Sequence, residues 1–346
     1  MIAALLTGAL ALSAPAPTPQ VQAWRLFLAL NRPVPMDRAA PHAGPVLAWE
    51  TWPTAAATFR RDGADPGTWN RNRIGTDRFE GMVPAGLPNL RRVQAGRMVP
   101  VRDPLASARR LVEVRLNPVS YDFIRGRGLY TVDGQRRAVN TGRVAFPCGS
   151  LQLKAGWRPI TRRQRNRYYT MTLRLADGSV RWYGLVALNL AFKTRAGNWL
   201  WASFEHADLA KRGEPPAQAG QPGGTPWRYY RLRGTQTGFV DAAGQATRLG
   251  NAELESGLGD SASCMTCHAR ATIGVQPGAG RLAVFAPAPP GIRRGYVGRP
   301  DPGWFGHTDA QGRWQARFAQ LDFVWSLAQA AVHDAGATTP ATGDPP

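Results

Sequence analysis

Through the middle of the chain, apolar and polar residues alternate in short runs. LVEVRL occupies 111–116, SLQLKA 150–155, YYTMTLRL 168–175, WYGLVALNL 182–190 and WLWASF 199–204. Alternation with a period of two marks a strand that buries one face. Asp177-Gly178, between the third and fourth runs, is a hairpin-turn signal. A single helical turn is expected at 120–124, and no long helical periodicity separates the strands, so they predict an antiparallel sheet.

The flanks carry different patterns. VQAWRLFLALNRPVP is a short apolar segment broken by prolines, and 37–105 is rich in Pro, Gly, Ala and Arg with little periodicity. A short strand is expected at 47–52, and GEPPAQAGQPGG at 213–224 is a loop by composition. Residues 251–255 look like a helix start, with a second short helix after them. Residues 315–333 place Phe318, Leu321, Trp325 and Ala328 on one stripe and predict an amphipathic, core-packing helix. The expected class is mainly β or α+β: an antiparallel sheet core, short helices and one C-terminal amphipathic helix. The expected divisions are a signal peptide at 1–14, an irregular region packed on the core at 22–110 and a β-rich domain at 111–270. A C-terminal extension with a helix follows at 271–335, then a disordered tail at 336–346.

The chemistry-bearing motif is Cys264-Met-Thr-Cys267-His268. Two thiols at this spacing reach the two vinyl groups of one porphyrin, and the following histidine lies under the iron as proximal ligand. The motif therefore predicts one covalently attached haem c. A redox Cys-x-x-Cys pair and half of a zinc site are the competing readings. Zinc requires a second ligand pair, and the sequence has no other C-x-x-C and no H-x-x-x-H.

The N-terminus changes the expected compartment. IAALLTGALALSA is apolar and uncharged, too short to span a bilayer, and offers Ala11 and Ser13 as a small-x-small cleavage site. It lacks the basic n-region of a typical signal. Covalent haem attachment takes place outside the bacterial cytoplasm, so the two features agree on a periplasmic protein with no membrane-spanning segment. The net charge is +20, and arginine supplies nearly all the positive charge, because Lys154, Lys193 and Lys211 are the three lysines. No dense basic run marks a nucleic-acid surface. An acidic redox partner, an anionic small molecule or an anionic membrane surface fits this balance, as does a compositional arginine bias. Cys148, beside Val144, Ala145 and Phe146, is expected to be a buried, inert thiol.

FPCGSLQLK at 146–154, NWLWASF at 198–204 and CMTCH at 264–268 resemble, in that order, a β-sheet family of c-type cytochromes. That family includes cytochrome c′-beta and the lysine-cross-linked cytochromes that oxidise hydroxylamine. The order resembles still more closely a group of uncharacterised exported cytochrome c family proteins. The resemblance covers roughly 111–270; the long N-terminal part and the C-terminal extension depart from it. It implies that Lys154 occupies the strand whose lysine bonds to the porphyrin in the cross-linked members. The alternative for Lys154 is an amine reaching solvent with its stem on the sheet. It also places the end of the aromatic strand, and so His206, near the haem.

The sixth iron position stays open. No methionine follows Met265, which leaves His42, His206, His307 and His333, or an unfilled position. His206 is the first candidate metal ligand beside His268, with a distal acid/base and an ordinary structural histidine as its other readings. Two function classes follow. One is a monohaem electron carrier. The other is a haem enzyme or gas-binding protein with an open distal site acting on hydroxylamine, nitric oxide or peroxide. A third reading makes the haem domain a module of a larger respiratory complex.

Overall fold

The computed structural model describes residues 17–35, 45–70, 110–174, 180–209, 225–255, 261–282 and 295–331, with backbone alone at 83–84, 91–94, 97–100 and 173–174. Its centre is a seven-stranded antiparallel sheet. The strands are β1 (Val83–Pro84), β4 (Leu111–Leu116), β5 (Leu151–Ile160), β6 (Thr170–Arg174), β7 (Val180–Lys193), β8 (Trp199–His206) and β9 (Tyr230–Gln236). The order is β1-β4-β5-β7-β8-β9, with β6 also paired to β7. The β6 ladder runs from Thr170↔Gly184 to Arg174↔Val180, and β8 pairs further along β7, from Ala187↔Glu205 to Lys193↔Trp199. Separate two-stranded ladders join β2 (Arg91–Gln94) to β3 (Arg97–Pro100), β10 (Thr272–Gly274) to β13 (Phe318–Gln320), and β11 (Gly306–Thr308) to β12 (Trp314–Ala316).

Among the described residues, five short helices decorate the sheet: α1 (Pro19–Leu30), α2 (Ala55–Thr58), α3 (Pro118–Gly126), α4 (Val132–Asn140) and α5 (Cys264–His268). Their starts follow capping chemistry. Thr18, Thr54, Asn117, Thr131 and Ser263 each accept a backbone N–H of the first turn, and Pro19 and Pro118 stand at positions that need no donor.

Strand alternation gives the sheet two different faces. One carries Leu153, Trp157, Tyr183, Leu188, Phe204 and Tyr230 and is covered by α1 and the 3-10 turn Ala48–Thr51. The other carries Leu116, Ala191, Trp199 and Trp201 and packs against Met265, Leu321, Val324 and Leu327. The haem-motif helix therefore sits on the second face.

The expected strands at 111–116, 150–155, 168–175, 182–190 and 199–204 are present within β4 to β8 in the described residues. The hairpin signal Asp177-Gly178 and the loop at 213–224 lie outside them. Several local expectations are corrected. The N-terminal apolar segment is a three-turn helix, α1, which ends ahead of Pro33. Residues 48–51 form a 3-10 turn, fixed by the Glu50 carboxylate accepting Leu47 N–H at 2.9 Å. Residues 251–255 form turns instead of a helix start. The C-terminal amphipathic helix at 315–333 is absent in the described residues: β12, β13, a tight turn and the 3-10 helix Trp325–Gln329 fill 314–329. Asp322 and Phe323 take φ of 48° and 66°, which no right-handed helix passes through. Cys148 is exposed and donates its thiol to Thr194 O at 2.9 Å, because the adjoining Gly149, at φ 86°, turns the chain outward.

Phe27 of α1 is fully buried, stacks on Phe204 at 4.4 Å and meets Trp227 edge-on at 5.7 Å. Phe27→Ala is expected to cost about 3–5 kcal/mol, measured by urea denaturation. A cost below about 1 kcal/mol would mean that α1 does not cover the sheet.

Candidate haem-attachment site

Helix α5 is a single turn pinned from several directions. Gln236, at the end of β9, donates to Ser263 Oγ at 2.6 Å and accepts Met265 N–H at 3.2 Å. Cys264 N donates to Leu249 O at 3.1 Å, and Thr266 Oγ1 donates to Gly298 O at 2.6 Å. At the other end, Trp325 Nε1 donates to Cys267 O at 3.1 Å. These bonds hold a turn too short to be stable alone.

Burial raises both thiols. Cys267 is pushed up to about 11, and Cys264, which donates to Leu249 O at 2.7 Å, lies well above the usual thiol value. Both are protonated thiols at neutral pH. Among the described residues no group of three or more His, Cys, Asp or Glu gathers into a metal-holding set, so nothing there completes a zinc site around them.

His268 is fixed by one backbone group. Its Nδ1–H donates to Phe323 O at 2.8 Å, and its ring lies 4.3 Å from that of Trp201. A carbonyl can only accept, so Nδ1 carries the proton and Nε2 keeps its lone pair. Burial pushes the imidazole down to about 4, with the Lys154 charge adding to the effect and the Phe323 carbonyl opposing it. A neutral imidazole with Nδ1 anchored on an acceptor is the form that ligates a metal through Nε2.

Phe323 presents that carbonyl from a strained turn. A non-glycine residue in the left-handed region costs about 1–2 kcal/mol, and two occur consecutively. The buried Asp322 carboxylate holds them, accepting Lys193 Nζ at 2.9 Å on each oxygen, Trp199 Nε1 at 3.1 Å and Phe146 N at 2.7 Å. These contacts tie the turn to three other segments and hold its strained backbone in one arrangement. Asp322 and Lys193 are the residues around the candidate site that sequence reasoning missed. A buried-side lysine was the sole signal in the chain, and its partner was hidden in a supposed helix.

Lys154 lies on the same sheet face as α5, since it pairs with Val114 and Asn189 in adjacent strands. Its amine donates to Leu254 O at 2.8 Å and to Glu255 Oε1 at 3.3 Å, with a third of the side chain still exposed. Glu255 also accepts Asn189 Nδ2 at 3.2 Å and Asn251 N at 3.0 Å. A Cβ on Gly156 would meet Leu254 at 2.7 Å, so 251–255 lies directly on the sheet there.

His206 is elsewhere. It is fully buried at the end of β8, five residues from Trp201, and the β7–β8 ladder between them has no irregularity. Five steps of alternation put the two side chains on opposite faces. His206 stacks on Tyr168 at 3.7 Å, its Nε2–H donates to Arg167 O at 3.0 Å, and its Nδ1 accepts Asp208 N at 3.1 Å. Both nitrogens are engaged, and burial lowers its pKa. The geometry is that of the structural histidine among its readings, with the sheet between it and His268. His307 is exposed on β11; His42 and His333 lie outside the described residues.

The face toward α5 fits a porphyrin in one further respect. Trp201 Nε1, Gln152 Nε2 and Asn189 Oδ1 are buried without a hydrogen-bond partner. All three belong to adjacent rows of that face, where Gln152 and Trp201 flank Ala191. Each orphaned polar group costs about 1–3 kcal/mol, and a ligand with polar edges over this face would recover that cost.

As pH falls from about 6.5 toward 4, the unfolded chain protonates His268 while the fold excludes the proton, so haem-free protein loses stability across that window. His268→Gln is expected to flatten the loss, read from urea midpoints against pH; an identical slope would place the imidazole in solvent. His206→Gln is expected to cost about 1–3 kcal/mol by the same assay, because Arg167 O and Asp208 N lose their partner.

No family model matches the chain, and no curated protein or solved structure matches it either.

Proposed function

We propose that the chain is an exported monohaem c-type cytochrome that transfers electrons through one haem attached at Cys264 and Cys267, with His268 as proximal ligand. The observation that carries this reading is the neutral His268 imidazole, held through Nδ1–H on Phe323 O with Nε2 left as a donor. The spacing of the motif supports it independently. The haem supplies a one-electron couple. The chain's part would be to hold the ring at α5 beside the mixed apolar and polar second face of the sheet and to fix the imidazole.

The exported location rests on the apolar segment at 2–14, outside the described residues. Among the described residues no helix is long and apolar enough to cross a membrane. The net charge of +20 suits an acidic redox partner. The resemblance to β-sheet c-type cytochromes supports the same reading, through the strands that carry Lys154 and Trp199.

One observation favours the second reading, a haem enzyme or gas-binding protein acting on hydroxylamine, nitric oxide or peroxide. Lys154 and Glu255 form an ammonium–carboxylate pair on the face that carries α5, 3.3 Å apart. Such a pair offers a hydrogen-bond donor and an acceptor to a small molecule bound on that face.

Expression with a c-type haem maturation system is expected to give one haem per chain that survives acid-acetone extraction. Cys264→Ser with Cys267→Ser should abolish its retention, and His206→Ala should leave the absorption spectrum unchanged. Complete extraction of haem from the wild type would end the reading. The spin state then separates the two functions: six-coordinate low-spin haem for the carrier, high-spin ligand-accessible haem for the enzyme.

A further inference from the structure

Asp322 and Phe323 are the non-glycine residues at positive φ among the described residues, and they stand between a contact with the segment after α5 and a contact with α5 itself. Leu321 N donates to Ala271 O before the turn, and Trp325 Nε1 donates to Cys267 O after it. Between them, Phe323 O accepts the hydrogen bond of His268 Nδ1–H. Behind the turn lies a cavity of about 330 Å³ lined by Val139, Val144, Ala319, Asp322 and Phe323, so packing alone does not hold the turn from that side. The Asp322 carboxylate does so instead. Its oxygens take the Lys193 ammonium, the Trp199 indole and the Phe146 amide.

We infer that Asp322, with Lys193 as its counter-ion, is a positioning residue for the proximal ligand: the buried pair locks the strained turn so that the Phe323 carbonyl polarises His268. The inference rests on the haem reading above. A carbonyl held at 2.8 Å draws on the Nδ1–H, enriches Nε2 and strengthens its bond to iron. Releasing the turn removes that polarisation without touching a ligand or a thioether. Observed strain at a ligand's partner, maintained by a buried ion pair, is a pattern that points to function.

The test uses the haem-loaded protein. Asp322→Asn leaves Lys193 buried without a counter-charge and risks the fold, so the double variant Asp322→Asn with Lys193→Met removes the pair together. In either variant that folds, the expected result is a midpoint potential shifted upward with covalent haem retained and, where the ferrous haem is five-coordinate, an iron–histidine stretching band shifted to lower frequency. A folded double variant with wild-type band and potential overturns the inference while the haem reading stands. Failure of both variants to fold overturns it too, by making the pair a purely structural element. A wild-type chain that carries no covalent haem overturns the functional reading, and this inference with it.

Discussion

The buried carboxylate of Asp322 is the point on which the candidate site depends. It joins three parts of the chain at one group: the turn before β5 through Phe146, the end of β7 through Lys193 and the start of β8 through Trp199. The pair with Lys193 is nearly sealed, at 4 % and 6 % exposure. Breaking such a pair by removing one partner costs about 3–5 kcal/mol, whereas its net contribution against an apolar substitute can be near zero. Stability therefore does not explain it as well as specificity does. A charge that can be satisfied in one arrangement fixes where the 321–325 turn sits, and that turn carries the carbonyl under His268.

The sheet does the second part of the work by separating two environments. Its α1 face is a closed aromatic core, with Phe27, Trp157, Phe204 and Tyr230 in contact networks of their own. Its other face mixes apolar residues with Gln152, Lys154, Asn189 and Ser203, and the 251–255 segment, α5 and the 321–327 turn cover it. Which residues meet the motif is decided by strand parity. A shift of one residue in β5 would exchange Lys154 for Leu153. The pairing Lys154↔Asn189 and Asn189↔Ser203 puts the polar row under 251–255, where Glu255 and Asn251 bind it.

Legibility followed range. The strands were visible because alternation is a local property, and CMTCH was visible because its chemistry is written in five consecutive residues. The 315–333 stripe misled because Phe318, Leu321 and Trp325 also suit a strand, a turn and a 3-10 helix that bury the same side chains. Nothing local announces two left-handed residues when neither is glycine. The partners that force them lie 123 to 176 residues away in sequence. His206 misled for a related reason: the resemblance places the end of the aromatic strand near the motif, but strand parity sends the His206 side chain to the other face of the sheet. The Arg167 carbonyl and Asp208 amide that occupy its ring come from segments with no pattern to read.

On the haem reading, two groups around His268 act on the iron in opposite directions. The Phe323 carbonyl makes the imidazole a stronger donor and favours the more positive iron. The Lys154 ammonium, close enough to lower the His268 pKa, favours the less positive one. Glu255 offsets part of the Lys154 charge through a contact that is itself partly exposed, so that lever is weak and sensitive to salt. The Phe323 carbonyl is held by a sealed ion pair and does not vary in this way. On that reading the fixed lever would set the baseline of the iron, and the Lys154–Glu255 pair would supply what adjustment the surroundings allow. A protein arranged in this manner would keep its proximal side constant and leave the distal side to decide between passing an electron and binding a molecule.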